Sequence, residues 1–325
     1  MFVMFGQEAQ SGSLLFQKSD KHIFRTYFLE FMRLVYAVFI LLLILIPSIQ
    51  CQQTAEDWLN RGTALDNQGR NNESIVAYDE AIKLDPKFAA AWNNKGLALN
   101  YQGKYDEAIK SYDEAIRLDP KFAAAWNNKG LALNYQGKYD EAIKSYDEAI
   151  RLDPKFAAAW NNKGDALTDQ GKYDEGIMAY DEAIRLDPKY STAWSNRGLA
   201  LKNLGKYDEA LKAFDEAIAL NPNLTGVWSN KGNALVNQGR YDEAIKAFDE
   251  AVRLDPNNAD AWSNKGVALG IQGKYDEAIK AFDGAIRLDP NDSGAWNGKG
   301  MAFDSLGRTT EADAAFARAR ELGGN

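Results

Sequence analysis

Seven asparagines recur through this chain at a step of 34 residues: Asn60, Asn94, Asn128, Asn162, Asn196, Asn230 and Asn264. An amide side chain both donates and accepts hydrogen bonds, so a row of them can pair with peptide groups without reading a sequence. Two carboxylates, Asp165 and Asp169, stand four residues apart beside Asn162, a spacing that suits a Lys or Arg of a ligand. Two tyrosines, Tyr101 and Tyr135, form an aromatic stretch beside Asn94 and Asn128. This is chemistry for holding a chain, not for breaking one. The only histidine and the only cysteine, His22 and Cys51, lie outside the repeating region. Histidine acid–base catalysis, thiol nucleophiles and the usual zinc sites are therefore not expected in the repeats. Most other carboxylates fall on a charged helix face, where solvation and ion pairing are their ordinary fate. With no phosphate loop and no glycine fingerprint either, the expectation is a non-enzyme with no metal and no cofactor.

The elements that position these residues are short and identical in kind. Lys87–Pro120 and Lys121–Pro154 are the same 34 residues letter for letter. All eight tryptophans keep that step, from Trp58 to Trp296, and seven of the eight prolines do so from Pro86 to Pro290. A fixed period of this size marks a stacked-repeat architecture. Within one unit the spacing predicts a first helix over 89–102, with an apolar stripe through Trp92, Gly96 and Leu99. Gly103 is the expected left-handed cap. A second helix is predicted over 105–118, its apolar side running Tyr105, Ala108, Ile109, Tyr112, Ala115 and Ile116. Its charged side offers Asp106 with Lys110 and Asp113 with Arg117 as i, i+4 pairs. Asp119-Pro120 ends it, because the residue before proline leaves the helical region. One hairpin leaves an apolar face bare, so each needs a neighbour.

These positions resemble the tetratricopeptide repeat family: counting from Ala89, Trp92 is position 4, Gly96 position 8, Ala108 position 20, Tyr112 position 24, Ala115 position 27 and Pro120 position 32. The resemblance covers eight repeats over 55–325 and implies an all-α, right-handed superhelical solenoid of helix-turn-helix repeats, preceded here by an N-terminal hydrophobic helix. It also implies that the first helices line a concave wall where extended peptides bind. Asn94 lies ~200° and Tyr101 ~180° around the helix from Trp92, which places both on that wall. The asparagine row is similar to the ladder in the repeat region of O-linked N-acetylglucosamine transferase, which holds peptide backbones. The alternative is that duplication copied an asparagine of no importance. The carboxylate clamp of chaperone-binding members is not matched, since Leu59 and Thr63 stand where the first repeat would need Lys and Asn. One departure is systematic: position 7 is basic in every copy, from Arg61 to Lys299. The reading is a stem packed along the seam with its charge reaching water, a functional basic row being the alternative.

Individual repeats differ where it matters. The first is degraded, with Asn71 in place of tyrosine and Ser74 in place of the small alanine. The fourth carries Asp165, Thr168, Asp169 and Gly176 in place of Leu, Asn, Tyr and Ala. In the eighth, Asp313 and Arg320 hold positions that are Ile109 and Ile116 in the second, so that last helix is expected to cap itself.

The repeats are acidic and the N-terminus is not. The first fifty residues carry a net charge of +1, whereas the whole chain is −8. An acidic array with no basic stripe is a poor partner for nucleic acid. A single cysteine excludes an intramolecular disulfide. Leu34–Ile46 is a run of thirteen apolar residues with Lys18, Lys21, Arg25 and Arg33 before it and Glu56 and Asp57 after it. Residues 32–51 are read as a transmembrane anchor or a signal peptide, and 1–31 as an N-terminal segment that is untranslated if Met32 is the start. Ile49 and Gln50 fit signal cleavage poorly, and Cys51 has no good lipobox, which favours a single-pass anchor in the cell membrane. The charge bias puts the repeats outside the cytoplasm, tethered or, alternatively, secreted. The expected function is a non-catalytic scaffold binding protein or peptide segments. The rival is a self-assembling structural module of the envelope.

Overall fold

A computed structural model of the chain describes residues 27–38 and 53–323. It divides at Glu56 into a short N-terminal unit and the repeat unit. In the first, residues 27–38 form helix α1, whose apolar side chains, Phe28, Phe31, Leu34 and Val35 among them, are exposed. Most of the apolar run read as an anchor, and nearly all of 1–31, lie outside the described residues. No helix among the described residues is long and apolar enough to cross a membrane.

The repeat unit is all helical among the described residues. Its pairs are α2 (Ala55–Asp66) with α3 (Asn71–Leu84), α4 (Ala89–Tyr101) with α5 (Tyr105–Leu118), α6 (Ala123–Tyr135) with α7 (Tyr139–Leu152), and α8 (Ala157–Asp169) with α9 (Tyr173–Leu186). Four more follow: α10 (Ser191–Asn203) with α11 (Tyr207–Leu220), α12 (Thr225–Asn237) with α13 (Tyr241–Leu254), α14 (Ala259–Ile271) with α15 (Tyr275–Leu288), and α16 (Ser293–Ser305) with α17 (Thr309–Glu321). From α4 on, each first helix packs on its pair partner; every second helix from α3 to α15 packs on the first helix of the next pair, and successive first helices from α4 to α16 also touch. This is a solenoid.

The punctuation read from sequence has a direct physical form. Gly103 takes φ +73°, and Lys104 donates its backbone N–H to the Leu99 carbonyl at 3.0 Å, closing the first helix. At the other end Asp119 leaves the helical region, and its carboxylate accepts from the Lys121 N–H at 3.0 Å. Between these stops the two helices approach closely. A Cβ on Gly96 would lie 2.6 Å from the Tyr112 ring, so only glycine admits the ring there. The ring is fully buried and also meets Ala132 of the next repeat, which makes position 24 serve both the hairpin and the seam.

The seam is where the structure corrects the sequence reading. The basic residue at position 7 does not simply reach for water. Lys95, Lys129, Lys163, Arg197, Lys231, Lys265 and Lys299 each form an ion pair of 2.5–2.7 Å with an aspartate on the second helix of the preceding repeat. The same cations lie 5.2–6.0 Å from the centre of their own repeat's tryptophan ring. Tryptophan, on the apolar stripe of the first helix, is accordingly only half-buried in every repeat. In five repeats its indole N–H donates to the preceding proline carbonyl at 3.0–3.3 Å. Aspartate, cation and indole thus form a clamp across each junction.

The clamp also rewrites the expected i, i+4 pairs. Asp113 goes to Lys129 and not to Arg117, which turns to Glu114 at 2.8 Å. Asp106 accepts from Gln136 of the next repeat at 2.9 Å and is not held by Lys110. At the C-terminal end Asp313 and Arg320 are exposed on α17, as the capping reading requires.

Candidate functional site

Every asparagine of the 34-residue row lies on a first helix, and four of the seven, from Asn94 to Asn196, enter a chain of hydrogen bonds that runs from repeat to repeat. The residue before each of the first three is a buried asparagine: Asn93, Asn127 and Asn161. Asn128 donates to Asn93 at 3.0 Å, Asn162 to Asn127 at 3.0 Å and Asn196 to Asn161 at 3.2 Å. Asn93 donates on to Asn94, Asn127 to Asn128 and Asn161 to Asn162. The amides at position 6 therefore knit neighbouring repeats together. They are not spent by doing so. An amide has two N–H groups and two carbonyl lone pairs. Asn128 and Asn162, each partly exposed, use one of each. Further along, Asn230 accepts from Lys202 at 3.4 Å, Asn264 is partly exposed, and Asn60 at the start is exposed. Sequence reasoning found the row but missed the buried partner row at position 5.

The two tyrosines are exposed on the same helices. Tyr135 stacks on Tyr105 of the preceding repeat, ring centres 5.4 Å apart. Tyr101 has no such partner, because Asn71 occupies the equivalent place in the first repeat.

The fourth repeat opens a polar hollow of about 570 Å³ lined by Tyr135, Asp165, Asp169, Tyr173, Tyr180 and Asn196, among others. Asp165 is far from idle there. It accepts from the Tyr180 hydroxyl at 2.7 Å, from Asn196 at 2.8 Å and from Asn161 at 3.2 Å. Burial nevertheless pushes its pKa up to about 6, with help from neighbouring Asp169, against hydrogen bonds that favour the charge. Asp169 is exposed and accepts from Asn134 of the preceding repeat at 3.2 Å. The structure brings both carboxylates to one hollow, as their four-residue spacing predicts. Thr168 and Gly176 explain themselves as a pair: a Cβ on Gly176 would lie 2.5 Å from the Thr168 methyl.

A second hollow, of about 330 Å³, lies on the first helices of the seventh and eighth repeats. It is apolar, lined by Val267, Ile271, Met301, Tyr275 and Phe282 with three glycines, and sequence reasoning missed it. The signal was available, since Gly298 interrupts the asparagine row and Ile271 stands where the sixth repeat has Asn237. Among the described residues no group of three or more His, Cys, Asp or Glu is arranged to hold a metal.

Comparison with protein families gives one result. A tetratricopeptide repeat profile matches residues 59–121, 100–155, 127–191, 229–293 and 271–325, and a second matches 191–224. None of the curated proteins matches the sequence. Among solved structures, YrrB, described as a TPR protein with an unusual peptide-binding site, is 27% identical, with 57% of this chain and 96% of that one covered and a TM-score of 0.49. PilF of Pseudomonas aeruginosa is 23% identical over 64% of this chain and 94% of its own, with a TM-score of 0.57. A tetratricopeptide repeat protein from Parabacteroides merdae ATCC 43184 is 18% identical over 77% and 99%, with a TM-score of 0.58. The last two show likeness of fold.

Proposed function

The chain belongs to the tetratricopeptide repeat family, and we propose that it is a non-catalytic interaction scaffold that receives extended polypeptide segments along its first helices. One observation carries this reading. Asn128 and Asn162 each keep an unused N–H and an unused lone pair on the same helix faces as the two hollows. A peptide group needs one donor and one acceptor, and neighbouring amides offer both without asking what the side chain is.

The test is the triple variant Asn94→Ala, Asn128→Ala, Asn162→Ala, with the partner captured by the wild-type chain as ligand. Each lost hydrogen bond is worth ~0.5–1.5 kcal/mol. Three together weaken binding ~10- to 1000-fold. Because these amides also join repeats, thermal unfolding of the variant must be followed alongside, so that lost binding is not mistaken for a lost junction. Equal binding by both proteins, with the fold intact, would move the interface to the second helices.

The scaffold is tethered through residues 32–51, with the repeats outside the cytoplasmic membrane. The support is the apolar run Leu34–Ile46 with its positive charges upstream, together with the exposed apolar side chains of α1. Protease added to intact, wall-stripped cells should digest the repeats. Protection there, with digestion only after lysis, contradicts this orientation, and recovery of the repeats in the medium identifies the secreted form.

The self-assembling rival fares less well at the array ends. Ala317 stands where every other repeat has the clamp aspartate, and so offers nothing to Arg61 of a second copy. Asp313 and Arg320 would also have to be buried in such a stack. Sedimentation through micromolar dilution should find no end-to-end oligomers.

A further inference from the structure

The apolar hollow on α14 and α16 is a local departure from an otherwise polar face. At position 12 the second and third repeats have asparagine and the fifth has Lys202, but the seventh has Gly270, and a Cβ there would meet nothing within 4 Å. At position 6 the asparagine row gives way to Gly298, where a Cβ would lie 2.5 Å from the Phe282 ring. The side chain missing at Gly270 leaves the space open, and the one missing at Gly298 admits the buried Phe282 ring that forms part of its wall. Around it Val267, Ile271 and Met301 remain 45%, 53% and 59% exposed. A hollow of about 330 Å³ is at the small end of ligand sites, enough for one large side chain and not for a globular surface.

Charge says what kind of chain brings that side chain. Positions 9, 12 and 13 supply much of the lining of both hollows. Over eight repeats they carry four aspartates, Asp66, Asp165, Asp169 and Asp304, and a single cation, Lys202. Asp304 is exposed and adjoins in sequence Ser305, which lines the apolar hollow. Lys202, whose ammonium donates to Asn230, offsets one of the four, which leaves these positions net acidic. Such a face draws a basic segment and repels an acidic one.

We infer that the seventh and eighth repeats form an anchor pocket for one large apolar side chain of an extended, basic polypeptide segment. This rests on the first helices being the binding face. The segment sets a Lys or Arg against Asp304 next to the anchor, and another against the exposed Asp169, beside Asp165, four repeats away. With packed helices spaced by about 8–10 Å, that separation is ~36 Å, or about eleven residues of extended chain. Methionine suits the pocket's rim, since its side chain adapts to differently shaped anchors.

The test uses the full chain and a displayed library of random 14-residue peptides, long enough to span both sites. Enriched peptides should combine a large apolar residue with a net positive charge. The variant Ile271→Asn, Met301→Asn places at these two exposed positions the residues the sixth repeat already has there, Asn237 and Asn233, so it keeps the fold. It should lose the apolar preference and about 10- to 100-fold in affinity for the best peptide, while the preference for Lys and Arg persists. Enrichment without an apolar residue, or unchanged affinity in the double variant, overturns the anchor and leaves the peptide-groove reading standing. Enrichment of acidic peptides overturns the stated partner. No enrichment at all, or peptides indifferent to the triple asparagine variant, overturns the groove reading itself.

Discussion

Asp165→Asn should stabilise this protein at neutral pH and flatten its pH dependence. The carboxylate is already offered three hydrogen bonds, from Tyr180, Asn196 and Asn161, yet its pKa is pushed up to about 6 because burial and Asp169 outweigh them. In an unfolded chain an aspartate titrates near 3.9, so the difference is ~2 pH units, or about 3 kcal/mol. The sign follows from proton counting. Between about pH 4 and pH 6 the folded state holds a proton that the unfolded state has released, so stability falls as pH rises through that window. Below it there is no penalty, and above it the penalty is complete. Removing the charge while keeping the shape should therefore leave stability at pH 3.5 unchanged and add ~2–3 kcal/mol at pH 7 to the local unfolding of the fourth and fifth repeats. Carboxylates paired with arginine, such as Glu73 and Glu182, have lowered pKa values and slope the other way, so only the difference between wild type and variant isolates Asp165. Urea unfolding at pH 3.5, 5, 6 and 7 measures it for both proteins. Parallel pH profiles would refute the reasoning, because they would mean that Asp165 titrates alike in both states.

Three other expectations bear on the repeats themselves. Lys129→Met should cost about 1 kcal/mol at one junction, a modest figure because Asp113 is half-exposed and the pair is screened, with the cation over Trp126 supplying part. Lys129→Arg should be nearly neutral, since Arg197 already makes the same contact to Asp181 at 2.6 Å, and hydrogen exchange on α5 and α6 distinguishes the two. Gly176→Ala should destabilise by ~1–3 kcal/mol through its clash with the Thr168 methyl, and Thr168→Ser should recover most of that loss in a double-mutant cycle. Trp126→Ala should cost ~3 kcal/mol and remove hydrogen-exchange protection in its own and the adjacent repeats, whereas uniform loss from end to end would contradict nearest-neighbour coupling.

Local features of the fold were legible because each is written within a few residues. The Gly103 turn, the Asp119-Pro120 stop and the apolar face of α5 are all short-range, and the second helix occupies the span its periodicity predicts. What could not be read lies between repeats. Lys95 and Asp79 are sixteen residues apart on different helices, so pairing at i, i+4 gave the aspartate of that position to its own helix and left the position-7 cation to reach water. The same blindness affected the amides. Asn94 and Asn128 were visible as a repeat, but that Asn93 bridges them depends on how successive first helices abut. Asp165 and Asp169 were placed correctly on one face, while the burial of Asp165 required knowing that Tyr180 and Asn196 close over it. The apolar hollow escaped notice because its signal is an absence, at Gly270 and Gly298, and glycine in a helix reads first as weakness.

The junction clamp bears on how such a chain changes over generations. Each internal unit brings aspartate to the joint after it and a basic residue with tryptophan to the joint before it, so any joint can be exchanged for any other. A unit gained or lost whole leaves flanking joints with unaltered chemistry. Lys87–Pro120 and Lys121–Pro154, identical throughout, are one unit present twice. The last unit is not exchangeable in this way, since Ala317 offers no aspartate and Asp313 and Arg320 face water. Length is thus free to drift ahead of that fixed unit. Descendants of one gene can keep the same anchor for a partner while gripping more or less of its chain.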